Sequence, residues 1–577
     1  MLKIIHHFFE FCQPDNRKRF HRSIWLTFLE SLFNALKIVA IYIFISGALN
    51  GTDMGRIALL TLGIMLLSIA GSYVVRYFSM MLQTKGGYDT CARKRMEIAE
   101  HLRYVPMGYY NDKSIGQVLS VTTNTMQFLE NLATRVIMLV SSAFLSTLVI
   151  TAMILVFDLR IGLVLIGGLL LFGLVTYLLM KKSDEISHLK YESDENLVAL
   201  ILEYIEGINE VKSYKLVGSK CKKFNEANDH SAKINFKMEK DFIPYIGLQS
   251  LVVKLTGILM IFLSILFFLN GSMILADCLI MIIASFVIYA NLENASAFTA
   301  LLRNIETCVS KGEEIMKAPQ MKLDGETAAP VNHDIQVKDI TFSYGKKKII
   351  DGVSFTIPQN TTTAIIGPSG GGKTTLTKLI ARFFDVDSGS ITLGGKDIRD
   401  YSYDTLMKNF SFVFQNVYLF KDTIANNIRF GTPEAGMDQV IDAAKKARCH
   451  DFIMALPNGY ETVIGDEVNL SGGERQRISI ARAMMKDAPI IVLDEATANV
   501  DPENEKELVD AIQQLTRDKT IIMIAHRLKT VRNADQILVV ENGTITQQGT
   551  HEELIKTEGT YQKFINIREK ATSWKLS

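Results

Sequence analysis

The stretch TTTAIIGPSGGGKTT, Thr361 to Thr375, determines how the second half of the chain folds. It combines an apolar strand, the pattern G-x-x-x-x-G-K-T and a run of residues that favour a helix. Lys373 can reach the terminal phosphates of a nucleotide, and the Thr374 hydroxyl can bind Mg²⁺. Four glycines allow the backbone N–H groups to close around phosphate oxygens: Gly367, Gly370, Gly371 and Gly372. The stretch therefore predicts a phosphate-binding loop between a strand and a helix.

A second apolar strand, PIIVLDEA (489–496), ends in two acidic residues. Asp494 is placed to hold a metal ion through water, and Glu495 is placed to polarise the water that attacks a terminal phosphate. Two acidic residues after a strand are, by themselves, weak evidence for a hydrolytic site. Downstream of the loop at Lys373 they predict nucleotide hydrolysis.

Another pair of glycines follows a serine in NLSGGERQRISIARA (469–483) and opens a predicted helix. The N-terminus of a helix is a favourable place for an anion, because its free N–H groups point outward. The chain thus carries two phosphate-binding elements about a hundred residues apart, and one nucleotide bound by a single chain does not explain both.

The first 320 residues contain long apolar runs. Ile161–Met180 has twenty residues without a charge, enough to cross a hydrocarbon core of about 30 Å as a helix. The run before it, 137–157, is similar. With further spans near 24–49, 56–80, 249–269 and 275–295, we predict six membrane helices in three hairpins.

The connections between these spans predict the orientation in the membrane. The long segments 76–135 and 181–244 are rich in Lys and Arg, whereas the short connections carry few basic residues. The positive-inside rule places the long segments and both termini in the cytoplasm, as helical extensions of the spans. We expect a multi-pass membrane domain over 1–320, a polar linker over 321–334 and a soluble α/β domain over 335–577.

The charge and the cysteine content argue against nucleic-acid binding, disulfide bonds and a cysteine metal site. The formal net charge is +1, so nucleic acid is not an expected partner. The six cysteines are widely spaced, which favours unpaired thiols over disulfides or a metal site. The N-terminal segment 1–22 is predicted to form an amphipathic helix at the cytoplasmic face of the membrane.

LSGGERQR followed by PIIVLDEA resembles the signature of ATP-binding cassette (ABC) proteins. Six spans before one cassette resemble a half-transporter with the exporter-type (type IV) fold. In that family two cassettes face each other head to tail, with each ATP between the P-loop of one and the signature of the other. The resemblance implies that Ser471, Gly472 and Gly473 hold the γ-phosphate of the nucleotide bound at Lys373 of the partner subunit.

The resemblance also assigns roles to single residues. Tyr344 in FSYG corresponds to the aromatic residue that stacks on adenine, and Gln415 in FVFQN to the residue that touches Mg²⁺. Asp501 in ANVD corresponds to the aspartate that crosses the dimer interface, and His526 in MIAHRL to the histidine that contacts the γ-phosphate. The predicted nucleotide cradle is completed by Ser369 and Thr375.

One segment departs from the sequence pattern of exporter-type ABC proteins. Before the signature leucine the chain reads GDEVN, one residue shorter than exporters usually have, so either Asp466 or Glu467 could make the usual acidic contact to the membrane domain. Two other segments, MGYYND near Met107 and EGINEVKSYKL from Glu206, look like intracellular coupling helices.

The resemblance implies ATP-driven translocation of a small amphipathic substrate across the cell membrane, with ATP and Mg²⁺ as cofactors. The partner is a second half-transporter, identical or paralogous. Segments such as FQNVYLF and CHDFIMALPNGY are similar to siderophore-uptake transporters of the yersiniabactin and mycobactin type, so an importer of ferric siderophores is the alternative. An ATP-gated channel and a non-transporting ABC ATPase are remote alternatives.

The first span carries three polar residues on one helical face: Glu30, Asn34 and Lys37. Charged groups inside a membrane are costly and tend to face protein or water. Either Glu30 lies at the solvated end of the span with Lys37 beside it, or this face lines the translocation path with Lys254 or Glu293 opposite.

Overall fold

The computed structural model describes residues 2–51, 53–110, 112–215, 222–321, 325–465, 468–494, 502–525 and 531–573. The chain divides into two units. The first, Met1–Arg103 with Tyr110–Ala318, is helical; the second is Tyr104–Tyr109 with Pro319–Ser577 and contains the described strands.

The membrane unit is built from long helices. Their bounds are α1 Leu2–Phe11, α2 Pro14–Leu49, α3 Met54–Arg103, α4 Asp112–Ser120, α5 Met126–Phe128, α6 Thr134–Phe157, α7 Leu159–Glu206, α8 Ile208–Ser213, α9 Lys222–Leu269 and α10 Leu275–Met316. Two π-helical turns, Val121–Thr125 and Leu129–Ala133, join α4, α5 and α6 into one continuous rod.

Six helical segments of the described chain are long and apolar enough to cross a membrane, which confirms the predicted fold class. They are Pro14–Leu49, Met54–Arg103, Ser114–Phe157, Leu159–Ser183, Lys222–Leu269 and Leu275–Glu293. The 50 residues of α3 make a rod of about 75 Å at 1.5 Å per residue, far longer than a bilayer is thick.

Small residues bring the membrane helices close together. Ser23 of α2 and Ser79 of α3 share a hydrogen bond of 2.8 Å. At Gly71 an added Cβ would lie 2.4 Å from the ring of Phe33. Such close approach is typical of membrane helix packing, where apolar burial contributes little because lipid is equally apolar.

The N-terminal helix α1 is amphipathic as predicted, but its apolar face does not lie open to a membrane. Phe8 and Phe9 are almost completely buried, and they contact Phe20 of α2 with ring centroids 5.6 and 5.4 Å apart. His7 of α1 lies 3.1 Å from Glu313 of α10. Protein side chains therefore cover this face, and the expected position of α1 at the membrane surface stays a prediction.

The cassette unit contains two sheets. The strands are β1 Ile335–Tyr344, β2 Lys347–Ile357, β3 Thr362–Ile366, β4 Ser388–Leu393, β5 Lys396–Asp397, β6 Phe410–Val413, β7 Ile490–Asp494, β8 Thr520–Ile524, β9 Gln536–Glu541 and β10 Thr544–Gly549. The smaller sheet is antiparallel with the order β2-β1-β4-β5; the larger has the order β10-β9-β3-β8-β7-β6. In the larger sheet β9, β3, β8, β7 and β6 are parallel.

Helices cover both faces of the larger sheet. Their bounds are α11 Lys373–Ile380, α12 Tyr403–Lys408, α13 Ile424–Arg429, α14 Met437–Lys446, α15 His450–Met454, α16 Gly472–Lys486, α17 Pro502–Leu515, α18 His551–Leu554 and α19 Thr560–Ser573. Alternate residues of β3 enter different cores: Ile365 packs with α11 and the smaller sheet, and Ala364 and Ile366 pack towards α13, α14 and α16. The parallel sheet therefore lies between two helical layers, so its strand ends are the natural place for a site.

Candidate nucleotide site and membrane cavity

The parallel strands bring the predicted catalytic elements to one edge of the larger sheet. Ile365 of β3 pairs with Ile524 of β8, which pairs with Asp494 of β7. Because neighbouring strands are about 4.8 Å apart, the backbone of Asp494 lies about 10 Å from that of Ile365, close to where the phosphate loop begins. Gln415 follows β6 by two residues, on the other side of β7. The loop, Asp494 and Gln415 therefore share one edge.

The phosphate loop connects β3 to α11 as predicted. Gly367 has a φ of +146°, and an added Cβ would lie 2.0 Å from the carbonyl oxygen of Val540. Gly372 has a φ of +105° and caps α11. Both conformations favour glycine, so the loop can wrap closely with its N–H groups available for phosphate.

The Lys373 ammonium lies over this loop. Its Nζ donates to the carbonyl oxygens of Gly367 and Pro368, at 2.9 Å each, and the side chain is 7% exposed. Thr374 is exposed in the first turn of α11, and Thr375 is buried beneath it; Ser369 is exposed on the loop. This arrangement fits a nucleotide phosphate, with Lys373 as its cation and Thr374 as an oxygen ligand for Mg²⁺.

Tyr344 is the last residue of β1, which lies between β2 and β4, and its side chain is 40% exposed. Its ring contacts Phe342 at 5.0 Å and Phe384 at 5.3 Å between centroids, nearly perpendicular in both cases. The two phenylalanines pack against the tyrosine ring and leave it partly exposed, which suits a stacking role.

Ser471, the serine of the signature, is the N-cap of helix α16. Ser471 accepts a hydrogen bond from the backbone N–H of Glu474 at 3.4 Å, and the Glu474 carboxylate accepts from the backbone N–H and hydroxyl of Ser471 at 2.8 and 2.9 Å. Ser471 and Gly472 are exposed, whereas Gly473 is buried. This capping box fixes the start of α16, and the helix dipole favours an anion there.

The structure does not anchor the signature beside the phosphate loop of the same chain. Gln476 of α16 donates to the carbonyl oxygen of Phe414 at 3.3 Å, next to β6, and Ser411 of β6 donates to that of Ala483. β6 lies three strands from β3, about 14 Å across the sheet. The two phosphate-binding elements therefore occupy different sides of the cassette.

Arg482 of α16 was not singled out from the sequence, yet it organises the segment after β6. It donates to the carbonyl oxygens of Asn427 and Tyr418 at 2.9 and 3.2 Å, and to Asn427 Oδ1 at 3.1 Å. Burial lowers the pKa of its guanidinium. An arginine in a helix of mixed polarity gives no sequence signal for such a role, because its partners come from a distant loop.

Some predicted residues lie outside the part of the chain that the structure describes: Glu495, Asp501, His526 and the alternatives Asp466 and Glu467. Their roles stay predictions.

The two expected coupling segments differ in what the structure shows. Met107–Tyr109 forms a 3₁₀ turn within the cassette unit, and the backbone N–H of Met107 donates to the carbonyl oxygen of Phe383 at 3.1 Å. In the second, a short helix covers Ile208–Ser213 after a break at Gly207. Residues 216–221, which follow, lie outside the described part of the chain.

A polar cavity of about 650 Å³ lies among the membrane helices. Glu30 and Asn34 line it, as one of the two sequence hypotheses expected. Lys37 instead donates to Asn34 Oδ1 at 2.8 Å, and the ammonium of Lys254 lies 5.8 Å from the ring centroid of Tyr289. The lining of this cavity in the single chain does not include Lys254 or Glu293, so their place opposite Glu30 stays a prediction.

Three more charged residues line this cavity from other segments of the chain. They are Arg76 of α3, Arg135 of α6 and Glu130 of the π-helical turn. Glu130 is held by Arg95 at 2.8 Å. No sequence pattern predicts this grouping, because each residue is a single charge at the end of an apolar run.

The six spans and the P-loop cassette together define an ATP-driven membrane transporter. The ABC transporter profile matches residues 350–498, and the profile of the ABC transporter transmembrane region matches residues 23–291. The chain belongs to the ABC transporter family, as a half-transporter of the exporter type, and its cassette uses ATP with Mg²⁺.

Three similar proteins cover nearly the whole chain. A Bacillus subtilis protein, YgaD, whose name describes a multidrug export ATP-binding/permease protein, is 30% identical over 509 residues, 86% of each chain. The ATP-dependent lipid A-core flippase of Francisella novicida is 33% identical over 520 residues, 87% of this chain and 86% of that one. A solved bacterial Atm1-family ABC exporter with ATP bound shares the fold, with a TM-score of 0.85 at 23% identity, covering 96% of this chain and 98% of its own.

These relatives correct one expectation. They do not support the resemblance to siderophore-uptake transporters or the importer alternative, since they are named as flippases and exporters.

Proposed function

We propose that this chain, paired with a second half-transporter, exports an amphipathic compound from the cytoplasm by hydrolysing ATP. The observation that carries the proposal is the polar cavity among the membrane helices. Arg76 and Arg135 lie at the boundary of the segment predicted to be cytoplasmic, so the cavity combines charges at the cytoplasmic end of the spans with apolar surface. A volume of several hundred cubic ångströms suits a small-molecule site.

The lining of this cavity indicates the kind of substrate. Glu30, Arg76 and Arg135 provide charges of both signs, while Met138 and Leu139 provide apolar surface. A compound with a charged or hydrogen-bonding head and an apolar body matches both the charged and the apolar parts of this lining. The names of the relatives, a lipid A-core flippase and a multidrug exporter, describe substrates of this broad type.

In the cassette, the proposed reaction is hydrolysis of ATP between two subunits. ATP supplies the energy of the terminal phosphate bond, and Lys373, with the loop N–H groups, binds the phosphates. Thr374, Asp494 and Gln415 provide oxygen ligands for Mg²⁺, directly or through water, the type of donor that Mg²⁺ prefers. Glu495 accepts a proton from the attacking water. The separation of the signature from the loop within one chain supports a site shared between two chains.

Two more assignments complete the proposal. His526 contacts the γ-phosphate, and Asp501 contacts the opposite cassette across the interface.

The positive-inside distribution of Lys and Arg supports a cassette that faces the cytoplasm. The partner half-transporter is either identical or paralogous.

The test is transport by the purified full-length chain in proteoliposomes, with the cassette facing outward and ATP added outside. Fluorescent anionic, cationic and zwitterionic amphiphiles should be moved into the lumen, at a rate that falls several-fold in Glu30→Gln and Arg76→Gln. Lys254→Gln is the matched control, because it removes a membrane charge that does not line the cavity. Equal transport in all three variants would contradict the proposed path, and ATP-dependent leakage without accumulation would favour a channel.

A further inference from the structure

The membrane unit has a second cavity, of about 820 Å³, between α6 and α7. We call it the α6–α7 groove. Its walls are almost entirely apolar, and its lining from α6 and α7 includes Phe144, Leu148, Leu155, Leu170, Phe172 and Gly173. Successive turns of α6 separate it from the polar cavity: Met138 and Ser142 line the polar cavity, whereas Phe144 and Leu148 line the groove. Thus α6 presents chemically different faces to the two cavities.

The groove is long in the direction of the α6 axis. Its lining residues on α6 run from Val140 to Leu155, a rise of about 22 Å at 1.5 Å per residue. A hydrocarbon core is about 30 Å thick, so the groove covers most of that depth. An extended acyl chain fits this shape better than a compact polar molecule does.

One end of the groove is basic. Lys3 of α1 is part of the lining and is exposed. Tyr177 and Met180 of α7 line the groove where the span of α7 ends, and the exposed Lys181 follows directly. Lysine and tyrosine side chains at such a position place an apolar stem beside lipid chains and a polar tip beside headgroups. The apolar groove with cationic groups at its mouth is complementary to an anionic amphiphile.

We propose that the α6–α7 groove binds an anionic phospholipid of the surrounding bilayer, with an acyl chain along α6 and α7 and the phosphate at Lys3. This lipid is a resident ligand and not the transported compound. The proposal goes beyond the proposed function, because it requires only that α6 and α7 lie in a membrane.

The chain offers a matched pair of variants. Gly173 lines the groove, and an added Cβ there would meet no atom within 4 Å. Gly167 lies on the same helix, is equally exposed and equally open, and does not line the groove. Gly173→Leu should therefore accommodate the new Cβ and add a side chain to the wall of the groove, and Gly167→Leu should add the same side chain outside it.

The experiment uses the full-length protein in phosphatidylcholine nanodiscs that contain phosphatidylglycerol with a diazirine in one acyl chain. The sample is irradiated without ATP, and labelled peptides of α6 and α7 are quantified by mass spectrometry. We expect strong labelling in the wild type and Gly167→Leu, and a several-fold loss in Gly173→Leu. Equal labelling in all three would overturn the proposal. So would an unlabelled wild-type groove, the result expected if a second copy of the chain covered it.

A second measurement tests the headgroup contact. The same diazirine is placed in phosphatidylcholine, and the ratio of phosphatidylglycerol to phosphatidylcholine labelling is compared between Lys3→Gln and Lys3→Arg. We expect the preference for the anionic lipid to fall in Lys3→Gln and to persist in Lys3→Arg. An unchanged ratio in Lys3→Gln would overturn the assignment of the phosphate to Lys3. Neither measurement uses ATP or transport, so failure of the proposed export function would not affect them.

Discussion

The ring of Phe384 stands edge-on against Tyr344, with centroids 5.3 Å apart and planes at 78°. The same ring faces Gly108, where an added Cβ would lie 3.1 Å from it. Gly108 belongs to the segment 104–109, which follows α3 in the chain but packs within the cassette unit. One side chain therefore contacts both the proposed adenine-stacking residue and the turn that follows a membrane-spanning helix.

This contact predicts the effect of a single added methyl group. Gly108→Ala should press on Phe384 and shift Tyr344, because 3.1 Å is tighter than a normal carbon contact. The KM for ATP should rise several-fold with little change in kcat, as measured by steady-state ATPase assays. Gly116→Ala is the control, since its added Cβ would meet its nearest neighbour at 3.9 Å. Equal KM values in the two variants would show that Phe384 does not transmit the change.

Glu495→Gln should separate nucleotide binding from hydrolysis. A glutamine keeps the shape of the side chain but cannot accept the proton of the attacking water, so turnover should fall by about 100-fold or more. Binding of a fluorescent ATP analogue should remain near the wild-type level. Near-normal steady-state turnover would assign the base to another residue.

Mixed dimers should show whether the site is shared. Lys373→Ala should impair binding at the phosphate loop, and Ser471→Ala should impair binding at the signature, so each variant alone should have low ATPase activity. If the sites are shared, a crosslinked heterodimer of the two variants has one doubly damaged site and one intact site. We expect ATPase activity to return in this heterodimer above that of either variant alone. No recovery would mean that the two sites are strictly coupled or that the natural partner is a different chain.

Arg482 should be required for the stability of the signature helix. Lysine cannot reproduce the donor geometry that serves Asn427 and Tyr418, and an unsatisfied buried carbonyl group costs about 1–3 kcal/mol. Arg482→Lys should lower the temperature of thermal unfolding of the cassette and reduce basal ATPase. Arg517→Lys makes the same change at an exposed position outside α16, where the side chain is 80% exposed, and should leave both unchanged. Similar unfolding temperatures for the two variants would contradict the role of Arg482.

Burial raises the pKa of the Cys449 thiol to about 12. Since the thiolate is the reactive form, the folded protein should not be alkylated at Cys449 by iodoacetamide at pH 8. The unfolded chain has an ordinary thiol pKa, so labelling should appear in urea and rise with pH through about 9. Mass spectrometry of the Cys449 peptide measures both states; rapid labelling of the folded protein at pH 8 would contradict its burial.

Much of the nucleotide site could be predicted from the sequence, because its chemistry depends on local patterns. The glycines around Gly367, the helix start at Lys373 and the acid that ends β7 follow from strand–loop–helix order. The row of Ile365, Ile524 and Asp494 depends on strand order in the sheet, which those patterns alone do not determine.

The membrane cavity was predictable only in part. Glu30 and Asn34 share a helix face, which the sequence shows directly. Arg76 and Arg135 come from two other helices, and their meeting with Glu30 depends on how the helices pack. The burial of Phe8 by protein had no sequence signal either, since an amphipathic helix looks the same whether lipid or protein covers it.

The length of α3 has a mechanical consequence. A continuous helix of 50 residues is a stiff lever of about 75 Å, so a tilt of about 5° at one end displaces the other by about 6.5 Å. A displacement of that size exceeds a full helical turn, although the local rearrangement at the pivot is small. A movement too small to break contacts near one end of α3 is therefore enough to widen or narrow a passage at the other end.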